Sequence, residues 1–498
     1  MSQEETRPRL REIDRSQLLL RSIDVERLIE EDHSARSIWA LVGRLDLDLY
    51  LKQIAAVEGR AGRSHTSPQL LVSLWLYGYS RGISSARELA RQSEYEPGLQ
   101  WLCGLEPVSH RTLSGFRSDY KAGLEDLFIQ VVGMLSAEGL VTMERVTQDG
   151  TKIKANAGGN TFRRKEKLEA HLALAREQVE QMNAQAEEEE QWSKRQAAAK
   201  LRAARQRKSR LEAALQEVER LQKARKHDTF VARASSTDPE AHVMRNGEGG
   251  TVPSYNVQLL TDTTHGFIVD VAATTDATDY RQIEPALERC EDMLGCLPQQ
   301  LVADGDYTNH ASVQAADTAG VDFYGSWQNS WRPAEQDAQG RSAGFISSAF
   351  PHDPERDIYI CPVGQVLTHH AVLNREHGVK THVYKAPKAA CRDCSSRELC
   401  APKNARPAWR RSVTRLEEPG TTVAFKAKME TEEAKQIYKQ RSRIAEFPHA
   451  WIKERCGLRQ FRCRGQQKVW MEALWACLSY NITRWFCLQR KATVPGAA

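Results

Sequence analysis

From Arg163 to His227 the chain is almost purely Lys, Arg, Glu, Gln, Ala and Leu, without a single glycine or proline. Nothing in such a run turns the backbone, and its commonest residues are strong helix formers, so it reads as a long helix or a helical hairpin. Apolar residues are too sparse for an unbroken heptad seam, which favours a protruding antiparallel hairpin over a parallel dimerising coil. The acidic stretch Ala186 to Glu190, followed by a basic run from Lys194 to Lys208, marks where one helix ends and the next returns. The basic arm carries Arg202, Arg205, Arg207, Lys208 and Arg210, and reads equally as a DNA-contacting surface or a solvated charged face.

Either side of this stretch the pattern changes. Residues 1–125 are helical in period, with a Ser-Pro helix start at SPQLLVSLWLYGY. The segment SSARELARQ to HRTLSGFR predicts two short helices joined by a turn near Pro107, compatible with a helix-turn-helix-like DNA reader or a plain packing unit. RVTQDGTKIKA, from Arg145, reads as a short strand ending at Asp149, then a glycine and a second alternating run. After the charged stretch, SYNVQLLTDTTHGFIVDVAATT alternates on both sides of a His-Gly turn and predicts a hairpin. TDYRQIEPALERCEDMLG follows as an amphipathic helix, and QQLVADGDYT as a strand running into Asp304.

Carboxylates at the ends of buried strands are costly unless a cation or basic partner compensates them, so Asp149 and Asp304 each hint at a metal site, though an Asp-Gly pair is also a common turn signal. QIYKQRSRIAEFPHAWIK, residues 436–453, reads as one helix bearing Tyr438, Arg441, Glu446 and Lys453. Glu446 and Lys453 are seven apart, two turns, and share a face.

A formal net charge of +5 is too small to imply nucleic acid by itself, but its distribution is uneven. Between Arg455 and Lys491 stand Arg455, Arg459, Arg462, Arg464, Lys468, Arg484, Arg490 and Lys491 against the lone acid Glu472, the footprint expected for a phosphodiester backbone or a basic helix pair without a ligand. No apolar run reaches membrane-spanning length and the first residues are polar, so a cytoplasmic, nucleoid-associated protein is expected. Of 11 cysteines, Cys361 and the group Cys391, Cys394 and Cys400 stand apart. Their C-x2-C pair has the knuckle spacing of a thiolate site, so four cysteines read as a structural Zn2+ shell or as reduced, unliganded thiols, with His369, His370 and His382 as rival ligands.

The order strand Asp, strand Asp, helix Glu resembles the acidic triad of the DDE transposases of bacterial insertion sequences. So does SPQLLVSLWLYGYSRGISSARELARQSEYEPGLQWLCGLEPVSHRTLSGFR, from Ser67, which is similar to the N-terminal domain common in that family. DPEAHVMRNGEGGTVPSYNVQLLTD, from Asp238, resembles the segment leading into the family's Y-N-x-Q strand, and GLRQFRCRGQQKVWMEALWACLSYNITR, from Gly457, its closing helices. A cysteine-bearing insert recurs in one branch. The family's usual D-x-G-Y is here Asp304-Gly305-Asp306-Tyr307, so Asp306 is a competing ligand, because two residues along a strand put both side chains on one face.

The resemblance implies an α/β catalytic core of ribonuclease H-like fold, a mixed sheet flanked by helices, with an all-α N-terminal domain. The divisions expected are 1–125, helical and DNA-binding; 126–162 and 229–325, the first part of the core; 163–228, the inserted hairpin; 326–430, the cysteine-containing insert; and 431–498, the closing helices. It implies a transposase that binds terminal inverted repeats as a homo-oligomer, a dimer on paired ends, and cuts and joins strands by two-metal-ion chemistry. Asp149, Asp304 and Glu446 would hold Mg2+, with Mn2+ as a substitute. Lys453 and Arg441 would position phosphates, Tyr438 would stack on a base or bond the backbone, and Arg459, Arg462 and Arg464 would extend the contact with DNA. The alternatives are a transposase-derived DNA-binding protein without catalysis and a metal-dependent nuclease that does not join.

Overall fold

The computed structural model describes residues 16, 22–54, 64–186, 191–224, 231–247, 249–327, 341–402 and 404–493. The polar residues 1–15, the acidic tip 187–190, and the side chains of Lys194 and Lys491 lie outside the described residues.

The architecture is mixed α/β. Its N-terminal part holds α1 (Ser34–Val42), α2 (Pro68–Ser80), α3 (Ala86–Gln92), α4 (Pro97–Cys103), α5 (His110–Asp119) and α6 (Lys121–Ala137). The expected pair of short helices is therefore three: Pro97 starts an extra helix, its first turn capped by the Glu96 side chain accepting from Leu99 N, and Gly104 ends it in the left-handed region at φ 59°.

The main sheet contains β1 (Arg145–Lys154), β2 (His242–Arg245), β3 (Thr251–Asp262), β4 (Ile268–Thr274), β5 (Gln300–Ala303) and β6 (Asp322–Gly325). β3 pairs antiparallel with β1, and on its other side with β2 and β4; β5 runs parallel to β1, and β6 parallel to β5. The hairpin expected around His265-Gly266 is β3 and β4, and the amphipathic helix after it spans Ile283–Leu294. β1 is one unbroken strand, which corrects the short strand ending at Asp149: all of Val146 to Lys154 finds ladder partners on β3. The sequence cue for a stop was Gly150, but that glycine sits inside the strand.

Between β1 and β2 run α7 (Lys165–Ala186) and α8 (Gln191–Ala224). Lys165 meets Glu219, Arg176 meets Glu212 and Arg205 meets Asn183, so the two helices are antiparallel. They enclose a small core of their own, with Leu168, Leu172, Leu211 and Val218. Beyond β4 come α9 (Ile283–Leu294) and α10 (His310–Thr318). A second, five-stranded antiparallel sheet follows, β7 (His352–Asp353), β8 (Ile358–Ile360), β9 (Val366–Asn374), β10 (Lys380–Lys385) and β11 (Ser412–Glu417). The chain closes with α11 (Glu432–Lys439), α12 (Arg441–Glu454) and α13 (Gln466–Thr493).

One apolar cluster runs from Trp75 and Phe116 in the N-terminal helices, through Val257 and Leu301 in the sheet, to Trp475 and Trp485 on α13. Polar bonds reinforce the union: Trp475 Nε1 donates to Arg117 O at 3.3 Å, and Ser479 Oγ to Leu76 O at 3.0 Å. A buried ion pair crosses it, Arg117 Nη1 to Glu472 Oε1 at 3.5 Å. The other carboxylate contacts of Glu472 go to the backbone N–H groups of Arg462 and Cys463. Among the described residues no helix is long and apolar enough to cross a membrane.

Candidate active site

The parallel ladder of β1 and β5 pairs Gln148 with Ala303, where β5 ends. Asp149 and Asp304 are the next step of that register, so two carboxylates stand side by side where the parallel strands part. Burial is the largest influence on both, and each feels the other or the acids around it. The Asp149 carboxyl is pushed up to about 6 by burial, with Asp304 and Asp279 adding to the rise, while a hydrogen bond from Gly150 N and the charge of Arg441 oppose it. Asp304 is raised by burial too, against the Asp306 N–H and Arg441, with Asp306 and Asp279 adding repulsion.

Asp306 is not a same-face neighbour of Asp304, because the strand stops at Ala303 and the next residues turn. Asp304 Oδ1 accepts from Asp306 N at 2.9 Å and Thr308 Oγ1 donates to Asp304 O at 2.9 Å. Asp306 is exposed on that turn.

Residues 436–453 are two helices rather than one. α11 ends at Lys439 and α12 begins at Arg441, with Gln440 between them. Tyr438 belongs to the first helix and Arg441, Glu446 and Lys453 to the second; the Arg441 guanidinium lies 5.9 Å from the Tyr438 ring centre. α12 packs across β1 through His449, whose Nε2 is 3.7 Å from Asp149 Oδ2. The imidazole is buried and neither ring nitrogen has a hydrogen-bond partner. Burial, first, and the charge of Lys453, second, depress it to about 3, so it is neutral. Glu446 stands one turn before His449 on the flank of the same helix face, exposed. The structure thus brings Asp149, Asp304, Arg441 and His449 together and leaves Glu446 at the solvent edge. Among the described residues no three His, Cys, Asp or Glu side chains are gathered closely enough to hold an ion.

Behind the aspartates lies a residue that sequence reasoning missed. Asp279, buried, accepts from Lys152 Nζ at 2.9 Å, Asn256 Nδ2 at 2.6 Å and Gln258 Nε2 at 2.6 Å. Gln258 in turn accepts from the hydroxyl of buried Tyr307, tying the Asp304 turn to the same network. Gly150 makes room: a Cβ there would lie 2.4 Å from Gln258 Nε2 and 2.6 Å from Asp279 Oδ1. The Asp-Gly pair is explained by this close approach and not by a turn. The two acids of TTDATDY and the amides of YNVQ were visible in the sequence, but nothing local joins Asp279 to residues 127 positions earlier in the chain.

Arg459, Arg462 and Arg464 are exposed on the loop between α12 and α13. Arg459 pairs with Glu454, and Arg464 Nε donates to Asn156 O at 3.1 Å. Beside the second sheet, Cys361, Cys391 and Cys400 pack against Phe350, Leu367, Tyr384 and Val413, while Cys394 is half-buried and all four are free thiols. Cys361 Sγ accepts from Gln365 N at 3.2 Å and Cys391 Sγ from Arg411 N at 3.4 Å. Burial raises the Cys400 thiol, with Cys391 and Cys361 close enough to add to it. Of the rival histidines, His369 and His382 bond each other at 3.2 Å and His382 bonds Glu417 at 2.7 Å, while His370 is exposed.

Two family models match the chain, the Transposase DDE domain over residues 360–486 and the Transposase domain (DUF772) over residues 23–119. Both matches are to transposase families, consistent with a DDE transposase of the insertion-sequence type. No curated protein and no solved structure matches it. The DDE-domain match spans the four cysteines, Tyr438, Arg441, Glu446, Lys453 and the arginines of the 457–465 loop, whereas Asp149 and Asp304 lie outside both matched segments.

Proposed function

We propose that this transposase binds the terminal inverted repeats of a mobile element, as a dimer on paired ends on the nucleoid, and catalyses strand cleavage and strand transfer in a ribonuclease H-like core. The β1–β5 register carries the reading: it sets Asp149 beside Asp304 where the parallel pairing of the two strands ends, under α12. The fold proposal rests on the strand order, an antiparallel β4-β3-β1 followed by parallel β5 and β6. The donor set fits hard divalent cations. Two adjacent, largely buried carboxylates repel one another, and a cation between them relieves both burial and repulsion.

Asp149 and Asp304 would hold Mg2+ or Mn2+, with the exposed Glu446 side chain turning inward past His449 to complete the set. When bound, two such ions supply charge stabilisation for in-line displacement at phosphorus. Arg441 draws the scissile phosphate toward the aspartates and Lys453 holds the flanking one, each acting by charge. Tyr438 stacks beside Arg441 at the mouth of the site. The four cysteines would hold structural Zn2+, a role supported by the two N–H to sulfur bonds and by the gathering of three thiols over one small core. The outward position of Glu446 favours, as second reading, a descendant that binds but no longer cuts.

Incubation with a labelled repeat-end duplex, a target plasmid and Mg2+ separates the readings. Labelled plasmid indicates transposition, a nicked duplex without joined product a nuclease, and a shifted but intact duplex a binder.

A further inference from the structure

The inserted helical hairpin and the 457–465 loop meet at one place. Glu217 of α8 accepts from His242 Nε2 of β2 at 2.8 Å, which docks the helix on the sheet. Arg210 is two turns earlier on the same face of α8, and Arg207 one turn before that. The loop is laid along the end of β1: Phe461 N donates to Lys154 O at 2.9 Å, Gln460 Nε2 to Ala155 O at 3.1 Å and Asn156 Nδ2 to Arg462 O at 2.6 Å. Its far end is fastened just ahead of β2, where Asp238 Oδ1 accepts from Gly465 N at 3.0 Å and Glu240 from Gln466 N. Helix and loop thus converge on residues 238–242 from two sides, which carries Arg464 to Arg207 and Arg210.

These are like charges. Arg210 is held below its ordinary basicity by burial first and then by Arg464 and Arg207. Its Nε is buried without a hydrogen-bond partner. Arg207 donates to a neutral amide, Gln178 Oε1, at 3.4 Å, and Arg464 to a backbone carbonyl. Asp238, a carboxylate on which Arg464 acts, is already engaged by the Tyr255 hydroxyl at 2.8 Å and by Gly465 N. Three guanidinium groups brought together by two separate parts of the chain, none of them in a direct ion pair among the described residues, suit an anion with repeated negative groups.

We propose that Arg207, Arg210 and Arg464 form a phosphate clamp across the seam between hairpin and loop, gripping the backbone of duplex DNA away from the cleavage point. The inference rests on the DNA-processing reading above and assigns the hairpin a task in it. Lys154, where the loop joins β1, is five residues beyond Asp149. At ~3.4 Å per residue that is about 17 Å along the strand. With ~3.4 Å between successive phosphates of one strand, the clamp engages DNA about five base pairs or more from the scissile bond.

The test is the salt dependence of binding to a repeat-end duplex by the full-length protein and by the Arg210→Ala/Arg464→Ala variant. Each lost phosphate contact lowers the slope of log affinity against log salt by about one, so the double variant should lose about two, equally on the repeat and on an unrelated duplex. Methylphosphonates placed five to eight phosphates from the cleavage point should weaken the parent and leave the variant unaffected. Arg464 is exposed and Arg210 half-buried, so unchanged thermal melting checks the fold. An unchanged slope, or methylphosphonates that weaken both proteins alike, overturns the clamp. Parent protein that cuts DNA while the slope stays unchanged defeats the clamp alone; a fallen slope in a protein that never cuts keeps the clamp and defeats the cleavage reading.

Discussion

Asp149 Oδ2 faces His449 Nε2 at 3.7 Å, and that imidazole is a buried group without a hydrogen-bond partner. α12 therefore presents a neutral ring, not a cation, to the first aspartate. The only positive charge that acts on both aspartates from this helix is Arg441, among the described residues.

The raised carboxyl of Asp149 makes stability depend on pH. Its folded pKa, about 6, lies above the usual 3.8, so the folded state binds the extra proton between those values. Stability is thus fully present below about pH 4 and falls as pH rises through 6. His449 works the other way: depressed to about 3 from 6.5, it makes stability fall as pH drops through that window. The Asp149→Asn variant removes the first effect alone. In chelator at pH 8 it should be more stable than the parent by about 1–3 kcal/mol, with the gap closing near pH 4. Urea titrations at the two pH values check this; equal stabilities at pH 8 would show that Asp149 carries no burial penalty.

Divalent ions should close the same gap from the other side. Adding Mn2+ at pH 8 should raise the melting temperature of the parent and leave Asp149→Asn unmoved, since ligand binding to the folded state alone adds stability. Calorimetric scans with and without Mn2+ decide it, and an equal rise in both proteins would place the ion elsewhere.

Gly150→Ala should damage the site without touching a charged residue. Its new Cβ would collide with Gln258 and Asp279, and overpacking of this kind costs about 1–3 kcal/mol. Because Gln258 also holds Tyr307, nicking should be lost while DNA affinity persists. Parent-like nicking would show that the Asp279 network does not position the aspartates.

Glu472→Ala should be among the most damaging substitutions. It strands buried Arg117 and releases two backbone N–H groups, and removing one partner of a buried pair costs about 3–5 kcal/mol. Urea unfolding measures it, and a loss below about 1 kcal/mol would mean that Arg117 finds water.

Protein purified without chelator should contain about one zinc per chain, lost in Cys391→Ser/Cys394→Ser. Elemental analysis finding no zinc in the parent would leave four reduced thiols.

Much of the fold was legible because the signals were local. The Gly- and Pro-free stretch is two antiparallel helices, and the alternating runs around His265-Gly266 are β3 and β4. What escaped depended on distant partners. β1 runs on past Gly150 because β3 supplies a partner at every step, and periodicity cannot reveal that. The break at Gln440 carries no proline or glycine to announce it. Asp304 was placed at a strand end by its apolar approach, but the turn that sets Asp306 apart is made by a side chain bonding its own backbone neighbour. His449 and Asp279 were unmarked because their meaning lies in burial and long-range contacts, which composition does not encode.

Asp149, Asp304 and Glu446 are proposed to act as one cation-binding set, of which Glu446 is the member the fold leaves outermost. The most direct measurement is nicking of a repeat-end duplex in Mn2+ by Glu446→Gln beside Asp149→Asn and Asp304→Asn, with affinity for the duplex recorded in parallel. Parent-like binding and no nicking are expected in all three. Nicking by Glu446→Gln at the parent rate would contradict a shared set.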